Sequence, residues 1–129
     1  MAAQQYELQP VTTSSTTAQG GDRTLTTATM AAVYLNVTSA AAGSGGFWLQ
    51  ARSQAGVYFD IEADQVLVLA ASSGQQTSVV NKRNINGDTL VTAAGKYKAT
   101  FKHMPYKIVR LAWIIAGGSL TFDAYMDVK

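Results

Sequence analysis

The sequence predicts an all-β domain, a β-sandwich or jelly-roll-like fold of eight or nine short antiparallel strands with an extended N-terminal arm. Three observations predict it. From residue 32 onward, apolar and polar side chains alternate with a period of two. Turn signals interrupt that alternation at intervals of about ten residues, the spacing of sandwiches and small barrels. No segment sustains a helical period, and the Ala-rich stretches are too short and too broken by Gly to propagate a helix.

Residues 1–30 read as a polar arm. The run from Val11 to Thr17, then Gln19 to Asp22, then Leu25 to Thr29, is rich in Thr, whose β-branching favours extended backbone. Few large apolar residues anchor it. It reads as an arm ordered against a partner, or as an edge strand plus loop. Residues 31–129 are assigned to the sandwich.

The strands follow in order. Val33, Leu35 and Val37 alternate with Tyr34, Asn36 and Thr38. Ala40 to Gly46 reads as a flexible loop of small residues, and Phe47 to Arg52 as a second strand. Val57, Phe59 and Ile61 alternate with Tyr58, Asp60 and Glu62, the pattern of a half-buried strand. Val66 to Leu69 is apolar on both faces, as in a strand covered on both sides. Ser72 to Gln75 marks a turn, and Thr77 to Lys82 a short strand. Asn86-Gly87-Asp88 is a hairpin signal, because Asn and Gly best tolerate the positive φ of a tight turn. Tyr97, Ala99 and Phe101 then oppose Lys96, Lys98, Thr100 and Lys102. Pro105 ends that strand, since it donates no ladder bond. Val109, Leu111, Trp113 and Ile115 point inward. Gly117-Gly118 turns the chain into Leu120, Phe122, Ala124, Met126 and Val128.

The bulk composition bounds the possibilities. At 129 residues one domain buries about two-thirds of its chain's surface, so no staple is demanded. There is no cysteine, which excludes disulfides and thiolate metal sites and suits a reducing compartment. Charged residues make up 14%, against roughly 25% in an average soluble protein. Such a surface is easily buried against a neighbour. The net charge of +2 hides an asymmetry. Residues 82–110 hold seven cations (Lys82, Arg83, Lys96, Lys98, Lys102, Lys107 and Arg110) and one anion, Asp88, whereas the first 81 residues hold two cations and five anions. Contact between basic and acidic surfaces is one use for that split. Met1 to Glu7 has no cationic n-region or apolar core, and the longest apolar run, Val109 to Gly118, is of strand length. The protein is expected to be cytoplasmic at synthesis.

The candidate chemistry is sparse. His103 is a lone histidine in a loop beside Met104 and Pro105; one histidine builds no multi-His zinc site, and a Ser-His-Asp arrangement lacks the Gly-x-Ser-x-Gly elbow. Asp60, Glu62 and Asp64 share a face only if their strand continues, and a solvated edge explains them better than a cation site. Gly43 to Gly46 lacks the Lys-Ser/Thr of a phosphate loop and reads as a flexible turn. Lys96, Lys98 and Lys102 form a basic face. Tyr97 and Phe101 point away from it, so an ionic subunit contact is preferred to a nucleic-acid platform. Trp48, Tyr34, Tyr58 and Tyr125 read as interface aromatics before they read as a carbohydrate platform. No residue is assigned a catalytic, cofactor-binding or metal-binding role, and no enzyme activity is expected.

One segment has a wider likeness. Gly95-x-Tyr97, Pro105-Tyr106, Val109-Arg110, Trp113-x-Ile115, Gly117-Gly118 and Thr121-Phe122 resemble the C-terminal strands of small β-sandwich virion proteins of tailed bacteriophages. The likeness covers about a quarter of the chain and contains no catalytic residues. It implies a capsid decoration or cement protein, localised to the virion, that bridges major capsid subunits and forms a homo-oligomer, a trimer by preference. It implies an N-terminal arm that pairs with a partner's sheet edge. The alternative is a tail, neck or fibre-associated module recognising a host glycan or another virion protein. The expected partners are the major capsid protein or other virion proteins. Membrane and nucleic acid are not among them.

Overall fold

The computed structural model describes residues 4–25, 30–70, 76–78, 84–86 and 90–129. Among these residues all regular structure is strand: β1 (Gln4–Ser14), β2 (Ala18–Gln19), β3 (Arg23–Thr24), β4 (Ala31–Ala41), β5 (Ser44–Arg52), β6 (Tyr58–Ile61), β7 (Gln65–Ala70), β8 (Gln76–Ser78), β9 (Gly95–Phe101), β10 (Ile108–Ala116) and β11 (Ser119–Val128). They form two sheets. One runs β1-β11-β4-β9-β7-β8. The other runs β2-β10-β5-β6, with β3 also paired to β10. Every pairing of named strands is antiparallel. The fold is a β-sandwich, with more segments than expected because the N-terminal stretch supplies three of them.

The period of two dictates the core. β4 buries Val33, Leu35 and Val37; β11 buries Leu120, Phe122, Ala124, Met126 and Val128; β10 buries Val109, Leu111, Trp113 and Ile115; β5 buries Phe47, Leu49 and Ala51. Packed face to face, two such sheets interdigitate at about 10 Å. Phe122 joins the layers. Its ring meets Phe47 edge-on at 4.7 Å and Trp113 at 4.9 Å between centroids.

Two strand pairs change sheet together. β4 lies in the six-stranded sheet and β5 in the five-stranded one, and the same holds for β11 and β10. Because β4 pairs with β11 and β5 with β10, the two corners lie side by side. A Cβ on Gly43 would stand 2.6 Å from the Ser119 carbonyl oxygen, and one on Gly118 would collide with that of Ala41. The glycines allow backbone to touch backbone. Ser44 to Gly46 are therefore part of β5 and not a flexible turn.

Three segments of the arm, β1, β2 and β3, are strands of the sandwich. β1 runs along β11 from Gln4 opposite Val128 to Ser14 opposite Leu120, with bulges flanking Gln9. Leu8 and Leu25 are buried in the core, and the Trp113 indole N–H donates to Ser14 Oγ at 3.1 Å. Among the described residues β1 is an outermost strand of its sheet. Two leucines in a polar run suffice to anchor the segment.

Three local expectations differ. Phe59 is 59% exposed although it alternates correctly, because β6 is the outermost strand of its sheet. Leu67, on the outer face of β7, is only half-covered. Gly87 and Asp88 lie outside the described residues, as do Lys82 and Arg83, but the flanks of the expected hairpin are placed. Asn84 bridges Trp48 and Val91 bridges Gly45, so both sides pair with β5. Asn86 is buried, and its Oδ1 accepts the Phe47 N–H at 2.8 Å.

Candidate functional site

Two outer sheet faces carry the organised polar chemistry. The first belongs to the five-stranded sheet. Register places Asp60, Gln50 and Arg110 in one row across β6, β5 and β10. Gln50 Nε2 donates to Asp60 Oδ1 at 3.0 Å, and Arg110 Nε donates to Gln50 Oε1 at 2.9 Å. The Arg110 guanidinium lies 3.3 Å from the centre of the Tyr58 ring. The Tyr58 hydroxyl reaches both Asp22 carboxylate oxygens, at 2.7 and 2.8 Å. That hydrogen bond, then burial and the Asp22 charge, hold the Tyr58 hydroxyl above the ordinary tyrosine range. Arg52 stands 3.9 Å from Asp22, an exposed pair that contributes little. The donors and acceptors engage one another, so the arrangement acts as a brace. It fastens the link between β2 and β3 to the sheet.

The second face belongs to the six-stranded sheet. Glu7, Tyr125, Tyr34, Lys98 and Leu67 are successive register partners across β1, β11, β4, β9 and β7. Lys98 Nζ lies 5.7 Å from the centre of the Tyr34 ring, within cation–π reach. One row away stand Asp123, Asn36 and Lys96; on the other side stand Asp127, Ala32 and Thr100. The small Ala32 side chain leaves a shallow cavity of about 190 Å³ between Thr100, Lys102, Asp127 and the apolar Met30 and Val128.

The acidic residues singled out in the sequence separate. β6 ends at Ile61, so Asp60 stays in the five-stranded sheet while Asp64 leads into the other. There its Oδ2 accepts the Lys102 backbone N–H at 2.6 Å. Among the described residues no three His, Cys, Asp or Glu side chains gather. His103 is exposed in the loop between β9 and β10, which is pinned by buried Met104. Tyr97 and Phe101 face inward, as expected, and Tyr34 of the neighbouring strand is the aromatic that joins the lysines. The four interface aromatics divide. Tyr58 is engaged by the brace and Trp48 is half-buried beside Asn84, which leaves Tyr34 and Tyr125 as an exposed, directly paired couple. Sequence reading placed each on a polar strand face. Their pairing depends on register between strands about 90 residues apart.

These features define a two-layer antiparallel β-sandwich. Its fold is that of the prophage-derived protein YomS of SPBc2, whose crystal structure superposes with a TM-score of 0.58 at 10% identity, covering 98% of this chain and 93% of that one. A second comparison, with the structure of infectious bursal disease virus strain Gx, gives a TM-score of 0.34 at 9% identity and covers 42% of that chain. No family model matches the chain. No curated protein matches it in sequence.

Proposed function

We propose that this chain is a structural protein of a phage virion, a capsid decoration protein that stabilises the head by bridging major capsid subunits. It acts by docking and catalyses no reaction. The observation that carries the reading is the fold shared with a prophage-derived protein over nearly the whole of both chains. The sequence resemblance of Gly95 to Phe122 to phage virion proteins supports it independently, as does the low proportion of charged residues. Many weak contacts repeated over a shell add to firm attachment. The outer faces are the proposed surfaces for that docking; the β1 part of the arm is paired to β11 along one edge, which leaves it less free to reach out.

The test is compositional and mechanical. The protein is expected in purified particles in numbers proportional to the major capsid protein, and particles lacking it should release DNA at lower temperature. Its absence from particles would overturn the proposal. The exposed Tyr34–Tyr125 couple beside Lys98 favours a second reading, a tail or fibre module that stacks on a host glycan. That reading requires a few copies at the tail and measurable glycan affinity.

A further inference from the structure

The outer face of the six-stranded sheet is complementary to itself. Its acids lie on one side, Glu7 on β1 and Asp123 and Asp127 on β11. Its lysines lie on the other, Lys96 and Lys98 on β9. The two tyrosines stand between them. Among the described residues none of these five charges has an ion-pair partner, since the one salt bridge is Arg52–Asp22 on the opposite sheet.

We propose that the chain forms a two-fold dimer through this face, with the axis parallel to the strands and passing between β11 and β4. Such a rotation keeps each residue's level along the strands and reverses the order across them. Lys98 then meets Glu7 of the second copy, and Tyr34 meets Tyr125 of the second copy. Asn36 meets Asp123 of the second copy. An in-plane axis at right angles would set acid on acid and lysine on lysine, which is disfavoured. Aligned sheets cross at about 30°, so the central row stays opposed. Tyrosine is enriched at such interface centres. The resemblance in the sequence implied a trimer, but this face is matched to a two-fold axis. The inference does not rest on the virion reading.

The experiment is a charge swap read by sedimentation equilibrium, with circular dichroism to confirm folding. The wild-type chain should be a dimer. Glu7→Lys and Lys98→Glu should each raise the dissociation constant at least about tenfold, because each sets like charges together twice. Mixed in equal amounts, the two variants should recover a 1:1 dimer, since both contacts then become opposite in sign. A monomeric or trimeric wild type, single variants that dimerise as the wild type does, or a mixture that stays monomeric would each overturn the proposal.

Discussion

Arg110 sits over the Tyr58 ring, its guanidinium carbon 3.3 Å from the ring centre, while the hydroxyl on the far end of that ring donates to Asp22. One side chain thus joins strand β10 to the segment between β2 and β3 through a stack and a hydrogen bond.

That arrangement predicts an alkaline signature. The Tyr58 pKa is raised above 10.0, first by the hydrogen bond to Asp22, then by burial and the Asp22 charge. A group with a raised folded pKa contributes stability that is complete below its unfolded value and lost as pH rises through its folded one. Tyr58→Phe should therefore lower the urea midpoint at pH 8, and the gap from wild type should close above about pH 10. Burial raises Tyr97 in the same direction, but it is present in both proteins and cancels. A gap that holds constant to pH 11 would show that the hydroxyl contributes nothing through ionisation.

Leu8→Ala separates an edge strand from a free arm. Leu8 is wholly buried, so its truncation should cost about 2–5 kcal/mol in equilibrium unfolding. If the N-terminal segment were a loose arm, the variant would unfold with the wild-type midpoint.

The paired corners predict a contrast between glycines. Gly118→Ala drives a methyl into the Ala41 carbonyl and should cost about 1–3 kcal/mol. Gly46→Ala meets its nearest neighbour at 3.8 Å, ordinary contact, and should leave stability nearly unchanged. Thermal melts of the two variants side by side decide the matter; equal losses would contradict the corner geometry.

Asn86→Ala removes the acceptor from a buried Phe47 N–H and should cost about 1–3 kcal/mol. Asn86→Asp keeps an acceptor oxygen and should recover part of the loss. A neutral Asn86→Ala in denaturant titration would mean that residues 84–86 are not held to β5 by this bond.

Much of the fold was legible because alternation is a local property. Val33, Leu35 and Val37, or Leu120 through Val128, announce which face is buried without reference to any other strand. The alternation misled at Phe59, where an edge position leaves the inward face uncovered. It was silent about Gly45 and Gly46, whose place in a strand comes from contact with β10. Asn86 shows a further limit. Its residue type signals a turn, yet its side chain accepts a backbone N–H from within β5, 39 residues away.

The sequence by itself determined an all-β sandwich without cysteine and with low charge, because hydrophobic period and composition act within a few residues. Tertiary structure alone decided which side chains became neighbours. Tyr34 meets Tyr125, and Arg110 meets Tyr58, only because pairing register and the crossing of strands between sheets bring distant segments to one level. A one-residue slip in either ladder would send those side chains to the opposite face. The make-up of the outer faces is therefore a property of register.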